Sequence, residues 1–149
     1  VFPQPSGPAD EHGLLPNRRL ALWPYSRMDD PRVTWRDAYV LVRGAPALPP
    51  FKFGYAATAG WMGYWRARHR MAGVFFVKRF DPARPGAEYP DYGCNAECFC
   101  NDFFLELETL GPLTRLRPGQ SAQHTEVWEL YRDPAEAGVE GEVLDLMNK

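Results

Sequence analysis

The sequence predicts an all-β fold, an antiparallel β-sandwich, on three observations. Short aromatic or β-branched runs recur along the chain, separated by turn chemistry at intervals of about eight to twelve residues, the spacing of sandwiches and barrels. One run, Gly73-Val-Phe-Phe-Val-Lys-Arg-Phe80, is apolar on both faces, which suits a central strand. The breakers between runs are proline, glycine and aspartate, residues that each favour turns for a separate conformational reason.

The elements follow in order. The first 18 residues hold four prolines and two glycines and read as an irregular arm over 1–18. A β-domain is expected over 19–132. Its strands are Leu20 to Trp23, stopped by Pro24; Ala38 to Arg43, after the Asp29-Asp30-Pro31 turn; and Lys52 to Ala56, after Pro49-Pro50. Trp61 to Arg66 follows Gly60, and Gly73 to Phe80 ends at the Asp81 to Gly86 loop. Asn95 to Cys100 comes after a turn at Pro90 to Gly93, Phe103 to Leu110 ends at Gly111-Pro112, and Ala122 to Tyr131 follows Pro118-Gly119. The acidic remainder, 133–149, suggests a short helix around Val139 to Met147.

Composition narrows the function. The chain has 149 residues, and 17 Lys+Arg against 19 Asp+Glu give a net charge of -2 with neither sign gathered into a block, which argues against a nucleic-acid or acidic-membrane binder. With 5 Trp, 7 Tyr and 9 Phe it carries too much buriable surface for a disordered segment. Its longest apolar stretches, such as Val74 to Val77, fall far below the ~20 residues of a membrane span. No basic-then-apolar signal opens the chain, which begins at Val1. That and an odd number of cysteines favour a cytoplasmic location. Cys94, Cys98 and Cys100 form C-x3-C-x-C, which either supplies part of a metal site with Asp91, Glu97 or a distant histidine, or places three small apolar side chains on one strand face. The second reading is favoured, so no metal is expected, and the acidic surroundings disfavour a cysteine nucleophile.

Candidate chemistry lies on three stretches. In Phe103 to Leu110, alternation puts Glu106 and Glu108 on one face and Leu105 and Leu107 on the other. Such a pair can serve as acid and base, can accept hydrogen bonds from a polyol, or can be an ordinary solvated face. In the last strand His124, Glu126 and Trp128 share a face, and an imidazole, a carboxylate and an aromatic plane together suit a sugar, though His124 can equally be a half-buried structural residue. A third cluster comprises Lys52, Trp61, Tyr64 and Trp65, leading into the basic run Arg66 to Arg70, most simply a solvated hairpin connection. Lys78 stands in an apolar strand and needs a partner, for which Glu106, Glu108 or Asp91 is the expected choice.

These residues fall into an ordered set of motifs: Ala21-Leu-Trp-Pro-Tyr25 with Asp30-Pro-Arg32, Lys52-Phe-Gly54 with Gly60-Trp61, Phe76-Val-Lys78, Tyr89-Pro-Asp91 with Glu97, Glu106-Leu-Glu-Thr-Leu-Gly-Pro112, Leu116-Arg-Pro-Gly119 and His124-Thr-Glu-Val-Trp128. From about Asn17 to Leu130 the set resembles the C-terminal half of an uncharacterised bacterial family in the galactose mutarotase-like superfamily. The resemblance implies a partial β-supersandwich with a carbohydrate groove on its concave sheet, and no cofactor. In the aldose 1-epimerases a glutamate acts as general base and a histidine protonates the ring oxygen. Here Glu106 or Glu108 is the counterpart of the base, with His124 or His69 as acid. The epimerase motif Asn-His-x-Tyr-Phe-Asn has no equivalent, so the expected function is non-catalytic carbohydrate binding or sugar sensing, with a mutarotase as the alternative and a ligand-free structural protein as a third. The ligand would meet Lys52, Trp61, Tyr64, Lys78, Asp91, Glu97, Glu126 and Trp128. Half a supersandwich leaves sheet edges uncovered, which predicts a homodimer, or covering by the N-terminal arm or the C-terminal helix.

Overall fold

A computed structural model describes residues 1–5, 7–45, 48–68, 71–139, 141 and 143. Among them are ten strands in three antiparallel sheets, with little helix, an all-β sandwich. Sheet A contains β1 (Phe2–Pro3), β4 (Tyr39–Val42) and β3 (Val33–Trp35), in that spatial order. Sheet B runs β2 (Leu20–Leu22), β5 (Phe51–Tyr55), β8 (Ala96–Cys100), β9 (Leu105–Thr109). Sheet C is β10 (Glu126–Tyr131), β7 (Met71–Phe80), β6 (Trp61–Arg68), so the doubly apolar run is central, as expected.

Alternation along sheets B and C decides where the core lies. The inner face of sheet B presents Phe51, Phe53, Tyr55, Ala96, Cys98 and Cys100, and these pack against Met62 and Phe80 of sheet C and Phe2 and Val40 of sheet A. Leu105 and Leu107 extend this face to the sheet's edge. The opposite face of sheet C puts Phe75 and Val77 into a second core with Tyr39, Leu41, Val139 and Val143. Sheet C therefore has apolar residues on both sides because it is covered on both sides. Gly63 permits the second core: a Cβ there would stand 2.4 Å from the Phe75 ring.

Four expectations change. The stretch 1–18 is not an irregular arm throughout, because Phe2 and Pro3 pair with Val40 and Tyr39, and Phe2 is 1% exposed with its ring 5.0 Å from that of Phe53. Two paired residues beside prolines leave no periodicity to read, and β3, close after Pro31, escapes notice for the same reason. The last strand is shorter than expected: pairing with β7 begins at Glu126, and His124 lies in the segment before it. The cysteines do not share a face. Cys98 and Cys100 enter the core, whereas Cys94 precedes the strand, and its Sγ would lie 2.8 Å from a Cβ placed on Gly54. Burial raises all three thiols, Cys94 to about 12, so none is a ready thiolate. Finally, the acidic extension packs onto the body: Pro134–Ala137 forms a 3-10 turn capped by Asp133, and Val139 and Val143 are buried. The helix expected around Val139 to Met147 falls mostly outside the described residues, as do His69 and Arg70, although Gly141 and Val143 have helical backbone.

Candidate functional site

The outer face of sheet B carries a polar constellation that the strand register dictates. Ala21, Gly54, Glu97 and Glu108 stand in one row across the four strands, and Lys52, Phe99 and Glu106 in the next. Glu97 and Glu108 are direct cross-strand neighbours, a like-charge pair that destabilises a sheet unless something compensates. Lys52 compensates. Its Nζ lies 2.7 Å from Glu97 Oε2 and 2.9 Å from Glu108 Oε2, and 4.8 Å from the centre of the Trp23 ring. Gly54 leaves room for this packing, since a Cβ there would come within 3.3 Å of Glu97 Cγ.

The roof comes from Trp23-Pro-Tyr-Ser26. Ser26 N–H donates to the Trp23 carbonyl at 2.8 Å, closing a turn with proline at its second position. The Ser26 hydroxyl donates to the Lys52 carbonyl and accepts from the Lys52 N–H, at 2.6 and 2.8 Å, which fixes the turn directly over the lysine. A second wall is the turn Pro90–Gly93, where Asp91 and Tyr92 adopt left-handed backbone, φ 50° and 61°. That conformation costs on the order of 1–3 kcal/mol per residue outside glycine and persists only where the surroundings enforce it. Trp23, Pro24, Asp91 and Tyr92 line a hollow of about 140 Å³ beside the cluster.

The electrostatics follow from burial. Glu97 is 1% exposed, and burial pushes its carboxyl up to about 7, with Lys52 opposing and Asp91 adding to the rise. Burial and the adjacent Glu108 raise Glu106. Burial also raises the Tyr25 phenol, which senses Lys52, Glu108, Glu97 and Glu106 together. Lys52 is raised: its bonds to the two glutamates outweigh the burial that would lower it. The Oε1 atoms of Glu97 and Glu108 are both buried, and the two side chains meet the carboxyls of Asp91 and Glu106.

The remaining expected site residues lie elsewhere. Thr109 shares the inner face of β9 with Leu105 and Leu107, and its hydroxyl is 2.7 Å from His124 Nε2 and donates to Glu126 Oε1. Lys78 finds its partners here rather than at Glu106, Glu108 or Asp91. Its Nζ is 3.1 Å from Glu126 Oε1 and donates to the Leu107 carbonyl at 2.7 Å, because side chains on this face of β7 meet the edge of sheet B and β10. Trp128 Nε1 donates to Glu126 Oε2 at 2.8 Å. Against the burial that would raise it, these donors hold Glu126 below the usual carboxylate range. Tyr64, Phe76, Lys78, Leu105, Leu107 and Trp128 line an open groove of about 340 Å³. Trp61 belongs to neither place and packs against the second core.

Ten of the eleven expected site residues, all but Trp61, therefore sort onto two sides of sheet B. Lys52, Asp91, Glu97, Glu106 and Glu108 stand together on the outer face, while Tyr64, Lys78, His124, Glu126 and Trp128 gather at the groove. The expected acid–base couple is separated: Glu106 and Glu108 point away from the face that holds Thr109 and His124. Trp23 and Tyr25 are site residues that sequence reasoning missed; the signal is the Trp-Pro-Tyr turn that ends the strand paired to β5. The outer face offers carboxylate acceptors, an ammonium donor and exposed aromatic surface around a hollow, a combination suited to hydroxyl-bearing ligands. Among the described residues no group of three or more ligating side chains is placed to hold a metal ion. Compared with protein-family models, curated proteins and solved structures, the chain matches none.

Proposed function

We propose that this protein binds a carbohydrate on the outer face of sheet B and does so without catalysing its conversion. The observation that carries this reading is the Lys52 ammonium held between Glu97 and Glu108 under the Trp23 ring, with a hollow alongside. Charged acceptors and donors at fixed positions read hydroxyl groups, and an aromatic plane takes the apolar face of a sugar ring. The ordered motifs resembling the mutarotase-like superfamily support the same reading, since Trp23, Tyr25, Lys52, Asp91, Glu97, Glu106 and Glu108 all belong to them. A mutarotase is the second reading, favoured by a Glu97 carboxyl near neutrality, where a general base works best. The position of His124 beyond β9 counts against it. A homodimer accompanies the proposal, supported by Val127, Trp128 and Leu130, which are 53%, 67% and 73% exposed along the outer strand of sheet C.

A thermal-shift screen over hexoses, pentoses and uronic acids tests the binding, because a ligand that binds only the native state raises its apparent stability. A saturable rise that disappears in Glu108→Gln is the expected result. No response to any sugar, or a response that depends on Trp128 instead, overturns it. Polarimetry on a sugar that binds should show no acceleration of mutarotation, and light scattering should give twice the chain mass.

A further inference from the structure

The turn Pro90–Gly93 is held in a conformation that its own residues disfavour. Asp91, Tyr92 and Gly93 follow one another in left-handed backbone, φ 50°, 61° and 87°, a region open to glycine and costly for a tyrosine. Contacts on either side of Tyr92 enforce it. Cys94 N–H donates to the Pro90 carbonyl at 3.0 Å, Asp91 shares a hydrogen bond with Glu97, and the Arg19 guanidinium lies so close to Gly93 that a Cβ there would meet its Nη1 at 2.1 Å. Tyr92 itself adds little to the packing, since it is 89% exposed. Strained residues that their surroundings over-determine cluster at ligand sites, and this one borders a hollow.

The residues lining that hollow come from two segments, 21–24 and 91–92, so Trp23 and Pro24 form one wall and Tyr92 belongs to the other. Its volume, about 140 Å³, is small beside the roughly 300–1,000 Å³ of sites that enclose drug-sized ligands, which suits a single sugar ring and not a chain of them. An opening between apolar walls also selects among sugars. A pyranose with every hydroxyl equatorial shows only C–H groups on both faces of its ring and keeps its hydroxyl oxygens at the rim. One axial hydroxyl puts an oxygen on a face, where an apolar wall strips its water and offers no hydrogen bond in return.

On the reading that this face binds a carbohydrate, we propose that Tyr92 is a binding residue that, with Trp23, clamps a single all-equatorial β-pyranose of the glucose or xylose type, whose rim hydroxyls meet Asp91. No bond is made or broken.

Titration calorimetry with glucose, xylose, galactose and mannose on the parent, Tyr92→Phe and Tyr92→Gly tests the assignment. Glucose and xylose should bind about fivefold to tenfold tighter than galactose and mannose, each of which carries an axial hydroxyl on its ring. Tyr92→Phe should keep both the affinity and the preference, because it keeps the aromatic plane. Tyr92→Gly should weaken glucose binding by about the same factor and lose the preference, while its melting temperature stays at or above that of the parent, since glycine relieves left-handed backbone at an exposed position. Equal affinity for glucose and galactose, or glucose binding unaltered in Tyr92→Gly, would overturn the clamp while leaving carbohydrate binding in place. A melting temperature that falls together with the affinity in Tyr92→Gly would assign the loss to the turn and overturn the clamp as well. Failure of every sugar to bind overturns both the clamp and the reading beneath it.

Discussion

Two half-buried lysines, one on each side of sheet B, sit in closely similar surroundings. Lys52 and Lys78 are 17% and 11% exposed, each faces a tryptophan ring at 4.8 and 5.6 Å, and each pairs with glutamate. Their hydrogen-bond accounts differ. Around Lys78 one carboxylate meets one ammonium, and both oxygens of Glu126 have donors, from Lys78, Thr109 and Trp128. Around Lys52 two carboxyl groups share one ammonium, and Glu97 and Glu108 also meet the carboxyls of Asp91 and Glu106. The first arrangement is complete within the chain and holds β7, β9 and β10 together at the edge of the sandwich. The second holds carboxyl groups against one another, which adds to burial in raising Glu97 and Glu106 where Glu126 is held low. The polar residues of the groove thus read as structure, and the proposal of a site falls on those of the outer face, although their composition is nearly the same.

The largest effect that sharpens this contrast comes from removing Lys52. Lys52→Met leaves Glu97 and Glu108 facing each other without a counter-charge, and should destabilise the protein by about 3 kcal/mol in urea unfolding as well as abolish sugar binding. Lys78→Met should cost about 2 kcal/mol through the stranded Glu126 and leave sugar binding unchanged. Were the two variants equally stable and equally able to bind, the distinction between the lysines would fail.

A smaller effect concerns pH. Folded Glu97 keeps its proton up to about 7, whereas the ordinary glutamate value is 4.5, so between these the native state holds a proton that the unfolded chain has released. Its contribution to stability is full below about 4.5 and is lost as pH rises through about 7. Glu97→Gln should abolish this decline, seen as a flatter melting temperature between those values. Glu126 and Asp30, both held low, act in the opposite sense, and their contributions are lost as pH falls. A difference curve between Glu97→Gln and the parent that slopes in the acid range alone would assign the titration to them instead. The smallest effect belongs to Trp128→Ala: the ring is 67% exposed, so the change should cost less than about 1 kcal/mol and leave sugar affinity within twofold.

Much of the fold was legible because strand alternation is a local property. Gly73 to Phe80 is apolar on both faces whatever it packs against, and Glu106 and Glu108 must share a side wherever β9 lies. The two sheet segments that escaped, β1 and β3, are two and three residues long, too short for a period to show. The site was harder. Each of Lys52, Glu97 and Glu108 could be singled out, but their meeting depends on register between strands up to 56 residues apart. The same limit let the resemblance join His124 to Glu106 or Glu108 in one expected site, since the sequence does not say which face of sheet B each occupies. Trp23 escaped because it lies in the turn just past β2, where the Ser26 clasp on Lys52, not periodicity, directs it.

The most direct test compares Glu108→Gln with Glu126→Gln, one carboxylate from each lysine's surroundings, by calorimetric titration with the sugar that gives the largest thermal shift and by urea unfolding of the same preparations. Glu108→Gln should stay folded and lose binding about tenfold or more, while Glu126→Gln should lose stability and bind as the parent does. Binding that survives Glu108→Gln and fails in Glu126→Gln would place the site in the groove and contradict the account.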